Sequence, residues 1–265
     1  MSTFVNSKTV YGPVKSWRFG LSLGIDPIFE TSTCSFNCVF CQLGHIQDIT
    51  SLHKEYVPTK KILEDLKEKL DSNSKIDVIT YSGSGEPTLA SNLSEIIDGI
   101  RSLAPTIPQY VLTNATELHH QSVRDALIKL DKVIVKIDAA DEQLFSRVNR
   151  PAPGITLSSV INGILEFKKV YKGDIEVQSM FMPMNDKEFD EYAAILKKIN
   201  PTAVQLNTPK RPYPLSWHRE NRGNHEAIFD YEVRELKVIS PERAKEIETR
   251  LTKATGLTIP VSYTH

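Results

Sequence analysis

The sequence has few cysteines, no long hydrophobic run and no excess of charge of either sign. No apolar run approaches the roughly 18–20 residues needed to span a bilayer, and no charged-then-apolar leader opens the chain, which predicts a cytoplasmic protein without membrane segments. Because 32 basic residues nearly balance 33 acidic ones, the chain is not a globally basic nucleic-acid binder, although a local basic patch stays open. The composition fits one large soluble globular domain.

All three cysteines of the chain lie within eight positions, at Cys34, Cys38 and Cys41. An odd number of clustered thiols does not form a disulfide framework, and three soft ligands in a loop are typical of a site that wraps a thiophilic metal or an iron–sulfur cluster. A four-iron cluster held by three thiolates leaves one iron without a protein ligand, and a molecule bound there can react. The sequence therefore predicts a catalytic centre in this loop.

Short segments rich in Val and Ile alternate with segments of helical periodicity over residues 25–207. Strands are predicted at residues 25–30, 76–81, 110–113, 133–138, 175–181 and 203–206, and helices at 59–70, 93–103, 123–130, 157–171 and 189–199. This alternation is typical of a parallel sheet buried on both faces. Six units fall short of a closed eight-stranded barrel, so we expect an α/β fold with a partial (β/α)6 TIM-like barrel and a site at the carboxyl ends of its strands. A flat doubly wound sheet is the alternative.

The two ends of the chain lack this alternation. Residues 1–24 are predicted to form an extended N-terminal arm, residues 25–207 the core, and residues 208–265 a C-terminal extension within the same structural unit. The extension begins with an irregular basic loop and ends with a helix started by Ser240-Pro241 and ended by Gly256. The loop is either a solvated face or a clamp on an anionic substrate or RNA. Its candidate contact residues are Lys210, Arg211, Arg219 and Arg222.

A glycine-rich stretch follows the second predicted strand at residues 82–87. Gly83 and Gly85 allow the backbone to approach a ligand closely, and Glu86 offers an acceptor for an ammonium group. An ordinary tight turn is the alternative.

The spacing Cys34-x3-Cys38-x2-Cys41 resembles the signature of the radical S-adenosylmethionine (SAM) superfamily. The resemblance implies that the three cysteines bind a [4Fe–4S] cluster and that the amino and carboxylate groups of SAM chelate its unique iron. It implies that the backbone of Phe40 faces the adenine ring. Residues 83–87 are similar to the superfamily motif that binds the amino group of the methionine, with Ser84 in place of its first glycine. The implied activity is reductive cleavage of SAM to a 5′-deoxyadenosyl radical that abstracts hydrogen from a substrate, with flavodoxin or ferredoxin as electron donor.

Polar residues end the later predicted strands and are expected to face the lumen of the barrel. By resemblance, residues at such strand ends contact the ribose or carboxylate of SAM, or the substrate. These candidates are Thr113, Asn114, Lys136, Asp138, Gln178, Met180 and Asn207. The later Asn149-Arg150-Pro151 resembles a loop frequent in the superfamily, and Arg150 is either a partner for a carboxylate or a surface arginine.

Three alternatives for the function stay open. The stretch from Tyr11 through the cysteine loop resembles a prokaryotic group related to the wyosine-forming tRNA enzymes, which implies a tRNA base or a small molecule as substrate, but the chain has no cysteines for a second cluster. A second reading is an activase that installs a glycyl radical on a partner protein. A third is a non-catalytic zinc or cluster protein that binds RNA, with His45 as the fourth zinc ligand.

Overall fold

The structure is a computed structural model that describes residues 8–72, 74–223 and 230–261. Its strands are β1 (Val10–Ser16), β2 (Gly20–Ile25), β3 (Thr33–Cys34), β4 (Asp48–Ile49), β5 (Val78–Tyr81), β6 (Gln109–Thr113), β7 (Lys132–Lys136), β8 (Asp174–Met180), β9 (Ala203–Asn207), β10 (Tyr213–Pro214) and β11 (Val233–Arg234). Its α-helices are α1 (Thr59–Leu70), α2 (Leu93–Leu103), α3 (Gln121–Leu127), α4 (Glu142–Val148), α5 (Leu157–Val170), α6 (Phe189–Ile199) and α7 (Pro241–Thr255). None of the described helices is both long and apolar enough to cross a membrane.

Seven strands form one mixed sheet in the order β1-β2-β5-β6-β7-β8-β9. The six strands from β2 to β9 are mutually parallel, and β1 pairs antiparallel with β2 at the edge. Spatial order follows chain order throughout, whereas a doubly wound sheet reverses its strand order at a switch point. The sheet therefore curls into a half-barrel, and the predicted partial barrel is confirmed over the doubly wound alternative.

The strands and helices form because their apolar residues match the two faces of the sheet. All four residues of β5 are buried, as expected for a strand covered on both sides. On α2, Ile96, Ile97 and Ile100 are buried at helical spacing and pack against the sheet. The last helix begins and ends as predicted, since the Ser240 side chain accepts from the backbone N–H of Arg243 and Gly256 takes a left-handed conformation at φ 73°.

The predicted first strand at residues 25–30 is wrong. The strand is β2, which ends at Ile25, and the next residues form a turn in which Asp26 Oδ1 accepts from the backbone N–H groups of Ile28 and Phe29. The predicted extended arm also contains β1, which is part of the sheet. In β2, Leu21, Leu23 and Ile25 alternate with Gly20, Ser22 and Gly24, and the low strand propensity of glycine and serine obscures the strand.

Two smaller differences concern the region after β7. The strand ends at Lys136 rather than at residue 138, so Asp138 lies in the following loop. Helix α4 was not predicted, although Asp141 caps it by accepting from the backbone N–H of Leu144.

Candidate active site

Backbone hydrogen bonds hold the start and the middle of the cysteine loop against neighbouring segments. At its start, Thr33 donates its N–H to the carbonyl of Ser84 (3.1 Å) and accepts from the N–H of Glu86 (3.0 Å). Further along, Asn37 and Val39 donate to the backbone carbonyls of residues 149 and 148, each at 3.0 Å. The loop therefore bridges the end of β5 and the end of α4, above the lumen.

Hydrogen-bond donors lie beside all three sulfur atoms, and those of Cys41 are the backbone N–H groups of Leu43 and Gly44, which lower its pKa. Cys34 Sγ accepts from the N–H of Phe36 at 3.4 Å and from Asn114 Nδ2 at 3.6 Å. Cys38 Sγ accepts from Asn149 Nδ2 at 3.4 Å. Such donors stabilise charge on sulfur and tune the reduction potential of an iron–sulfur cluster.

The surroundings disfavour bare thiolates. Burial raises the pKa of all three cysteine thiols, and the nearby carboxylates of Glu86 and Asp138 raise the pKa of Cys34 and of Cys38 further. Thiolates in this loop therefore need a bound cation, because a metal centre is what compensates buried negative sulfur.

The fourth ligand of the zinc alternative is not in place beside the cysteines. A structural zinc site needs four protein ligands, and the cysteine loop supplies three. Among the described residues, the one group of His, Cys, Asp or Glu side chains that could hold a metal ion includes neither the cysteines nor His45. His45 is exposed and directs Nδ1 at Asn37 Nδ2, 3.2 Å away. Three thiolates without a fourth protein ligand agree better with an iron–sulfur cluster.

The glycines of residues 82–87 approach the protein itself rather than an open space. A Cβ on Gly83, whose φ is 153°, would lie 2.3 Å from Asp26 Cγ, and one on Gly85 would lie 1.7 Å from the carbonyl oxygen of Thr33. Ser84 is fully buried and donates its N–H and its hydroxyl to Asp26 Oδ2 at 3.0 and 2.6 Å. Close packing against Asp26 explains Gly83, and close packing against the start of the cysteine loop explains Gly85. Contacts of Gly83, Ser84 and Gly85 with SAM stay predictions.

Glu86 is buried and connects the ends of two neighbouring strands. Its Oε1 accepts from the hydroxyls of Thr88 and Thr113 at 2.7 and 2.6 Å, and its Oε2 accepts from the N–H of Asn114 at 2.7 Å. Burial raises its pKa, and these hydrogen bonds oppose that shift. Glu86 therefore holds Asn114 against Cys34, while its contact with the ammonium group of SAM stays a prediction, as do SAM contacts of Thr113 and Asn114.

A second group of predicted residues meets on the other side of the loop. Lys136 Nζ lies 3.0 Å from Asp138 Oδ1 and 4.7 Å from the centre of the Phe40 ring. Asp138 also accepts from the N–H of Met180 at 2.8 Å and from Asn149 Nδ2 at 2.7 Å. Asn149 was not among the predicted site residues, although its side chain joins Asp138 to Cys38. Its position in the Asn149-Arg150-Pro151 segment is the one feature of the sequence that pointed to it.

A cavity of about 880 Å³ lies beside Phe40 and Gly83, and it is not lined by Glu86, Asn114, Lys136 or Asp138. Five predicted contact residues line it: Phe40, Gly83, Gln178, Met180 and Asn207. At its base, Arg18 Nη1 donates to Gln205 Oε1 at 3.1 Å, and burial lowers the Arg18 pKa to about 10. Because Arg18 lies between β1 and β2 and Gln205 on β9, this bond spans the open side of the half-barrel. No local pattern in the sequence indicates this contact.

The four basic residues predicted in the loop lie in different environments. Arg222 is buried and pairs with Asp26 Oδ2 at 2.7 Å, so the prediction that it belongs to a solvated face or a substrate clamp is wrong. Arg219 donates to the carbonyl of Glu30 at 3.1 Å and lies over the Phe29 ring. Lys210 and Arg211 line the cavity, and burial lowers the pKa of both.

Comparison with known proteins shows similarity to one protein family and to one group of bacterial and archaeal proteins. The family model described as Radical SAM superfamily matches residues 29–196. A UPF0026 protein of Synechocystis sp. is 43% identical over 253 residues, which cover 94% of each chain.

Two solved structures show the same fold. SuiB of Streptococcus suis bound to S-adenosylmethionine matches with a TM-score of 0.62 at 16% identity, over 92% of this chain and 50% of that one. TYW1 with a lysine-pyruvate adduct bound matches with a TM-score of 0.58 at 15% identity, over 91% of this chain and 76% of that one. At these identities the likeness establishes the fold alone.

Proposed function

The chain belongs to the radical SAM superfamily and is related to the UPF0026 proteins, and from this premise we propose that its substrate is a small anionic molecule bound in the lumen. As a member, it is a radical SAM enzyme with a [4Fe–4S] cluster and SAM as cofactors. When bound, these cofactors supply a 5′-deoxyadenosyl radical that takes a hydrogen atom from the substrate.

The chain's own residues position that chemistry at the carboxyl edge of the sheet. Cys34, Cys38 and Cys41 hold the cluster, and Asn114 and Asn149 donate to the sulfurs of the first two. The packing of the loop between β5 and α4 holds these donors beside the sulfur atoms. The residues lining the lumen beside Phe40 are the candidates that hold SAM and keep water from the reacting atoms.

The observation that carries the substrate class is the lining of the 880 Å³ cavity. Its size lies in the range of about 300–1,000 Å³ that is usual for small-molecule sites. Lys210 and Arg211 place two cations in its wall, and Gln178 and Arg18 contribute polar groups deeper inside. Positive charge at a partly dehydrated wall favours a carboxylate or phosphate.

A tRNA base is the second candidate substrate. The resemblance of the chain to relatives of the wyosine-forming enzymes supports it, and Lys210 is exposed beside the cavity, where it can meet a nucleic-acid backbone. Flavodoxin or ferredoxin is the proposed electron donor for either substrate.

Anaerobic reconstitution tests the enzyme class first. We expect about four irons per chain and release of 5′-deoxyadenosine from SAM under dithionite, or with reduced flavodoxin in its place. Cys38→Ala should abolish both the cluster absorbance and the cleavage, whereas Cys38→Ala protein that still cleaves SAM would refute the ligand assignment. A colourless zinc protein would support the non-catalytic alternative.

The substrate class is tested by what accelerates 5′-deoxyadenosine release. A fraction of small anionic metabolites should stimulate the wild type, and the Lys210→Gln/Arg211→Gln variant should need more of it while retaining unstimulated cleavage. Lys237→Gln, at an exposed position of the C-terminal extension, is the control. Stimulation by tRNA alone would favour the RNA base, and a glycyl radical detected on an added protein would favour the activase.

A further inference from the structure

Three metal-ligating side chains converge outside the cysteine loop. His53 Nε2 lies 2.7 Å and His120 Nε2 lies 3.6 Å from the same oxygen, Oε2 of Glu117. All three ligand atoms fall within 4.8 Å of one another, and the two imidazole rings are 4.7 Å apart between centres. We propose that His53, Glu117 and His120 form a second metal site that binds a divalent transition ion of the zinc type.

The separations of the ligand atoms match the size of such an ion. Zinc bonds to nitrogen and oxygen at about 2.0–2.1 Å, so tetrahedral ligands stand about 3.3 Å apart. The distances of 2.7 and 3.6 Å from Glu117 Oε2 bracket this value, and side-chain shifts of well under 1 Å would equalise them. Two imidazoles and one carboxylate form a common protein donor set for zinc, with water at the fourth position. The His120 side chain is 46% exposed, so solvent reaches that position.

The environment of Glu117 supports a bound cation. Its side chain is only 1% exposed, and a buried carboxylate needs a compensating positive charge or several donors. Oε1 accepts from the Thr116 hydroxyl at 2.9 Å, which leaves Oε2 turned toward both histidines. A hydrogen bond from His53 to Oε2 accounts for the position of the His53 ring but not for that of the His120 ring. Thr116 also fixes the carboxylate in the way that an outer-shell partner orients a ligand.

The position of the site gives it a structural role. His53 follows the segment that leaves the cysteine loop through β4, whereas Glu117 and His120 lie in the turn after β6. An ion would fasten these two segments together. At the same turn, the Thr116 hydroxyl accepts from the Ser35 hydroxyl at 2.7 Å, and the Thr116 N–H donates to Asn114 Oδ1 at 3.1 Å. Asn114 in turn donates to Cys34 Sγ. The proposal does not depend on the identity of the substrate.

The test uses the holoenzyme, because its iron–sulfur cluster occupies the cysteines that would otherwise take up zinc. The protein is treated with a chelator, dialysed against zinc chloride, and analysed for zinc and iron by mass spectrometry. We expect one zinc per chain with unchanged iron, and a higher melting temperature than for the chelated protein. X-ray absorption at the zinc edge should show nitrogen and oxygen at about 2.0 Å and no sulfur at about 2.3 Å.

Variants locate the ion. His120→Ala and the nearly isosteric Glu117→Gln should each lose the zinc and its thermal stabilisation, while retaining iron and unstimulated SAM cleavage. His119→Ala is the matched control, because His119 adjoins His120 but directs its Nδ1 at the Thr116 carbonyl, 2.9 Å away. Should Glu117→Gln misfold, the exposed His120→Ala variant still decides the question. Zinc bound equally by wild type and His120→Ala, zinc with sulfur ligands, or no zinc in the wild type would each overturn the proposal.

Discussion

Gly85 packs so closely against Thr33 that a Cβ at residue 85 would lie 1.7 Å from the Thr33 carbonyl oxygen. That carbonyl accepts the N–H of Glu86 at 3.0 Å, and Thr33 directly precedes the first cluster ligand, Cys34. The glycine-rich segment after β5 therefore sets the position of the cysteine loop through the backbone.

Gly85→Ala should consequently displace the start of the cysteine loop. Neither partner in this contact is a flexible side-chain end, so the added methyl group forces backbone movement. We expect reconstituted protein with markedly less than the wild-type iron content and a lower melting temperature.

Gly99→Ala is the control for this substitution. Its Cβ would meet the flexible end of the Leu63 side chain at 2.7 Å, and alanine favours the helix in which residue 99 lies. Iron content should therefore match the wild type. Full iron loading of Gly85→Ala would show that the contact does not govern the loop.

Asn114→Ala should lower the reduction potential of the cluster. The substitution removes the amide donor 3.6 Å from Cys34 Sγ, and donors to sulfur stabilise the more negative, reduced cluster. Loss of one hydrogen bond worth about 1 kcal/mol corresponds to a shift on the order of 40 mV for a one-electron couple. A redox titration followed by electron paramagnetic resonance measures it. Gln178→Ala is the control, since its amide donates to Gln205. A potential that rises or stays constant would contradict the assignment.

The parts of the fold that the sequence predicted are those encoded locally. Cys34, Cys38 and Cys41 are recognised by spacing alone, and the buried strands from β5 to β9 are recognised by their runs of β-branched residues. The first parallel strand is misplaced because residues of low strand propensity, Gly20, Ser22 and Gly24, occupy every second position of β2. Gly24 lies under the Tyr11 ring, where a Cβ would be 2.1 Å from that ring, so packing requires glycine there.

The parts of the site that were missed depend on contacts between distant residues. Arg222 lies 196 positions from Asp26, and Asn149 lies 111 positions from Cys38. No local pattern distinguishes a buried, paired arginine from an exposed one in a basic loop. Thr113 and Asn114, which end β6, form hydrogen bonds within the protein that hold the loop, and their contacts with SAM stay predictions. Only the fold reveals which polar groups are already satisfied.

Arg222→Met should destabilise the protein strongly. The guanidinium is 2.7 Å from Asp26 Oδ2, the side chains are 7% and 0% exposed, and Arg222 also lies over the Tyr11 ring. Removing one partner leaves a buried charge uncompensated, which costs about 3–5 kcal/mol. The free energy of unfolding in urea measures the loss.

Lys60→Met provides the comparison for this ion pair. Lys60 and Glu64 are 87% and 59% exposed and 3.9 Å apart, so their pair contributes at most about 0.5 kcal/mol. A loss below about 1 kcal/mol in Arg222→Met would show that the backbone and Ser84 donors to Asp26 compensate its charge without the arginine.

Asp65 should make the stability of the fold depend on pH in acid. Burial raises the pKa of this α1 carboxyl, but hydrogen bonds from Lys61 and from the Thr9 hydroxyl and N–H lower it more, so the net shift is below the ordinary value of 3.8. As pH falls, the unfolded chain is protonated first. The stabilisation is therefore complete well above pH 3.8 and is lost as pH falls through the lower folded pKa.

Asp65→Asn should be less stable than wild type at neutral pH, with a difference that shrinks below pH 3.8 in denaturant titrations. The exposed Glu64→Gln on the same helix should change stability little. A difference that grows in acid would contradict the role of Asp65 as the anionic acceptor that ties the start of β1 to α1.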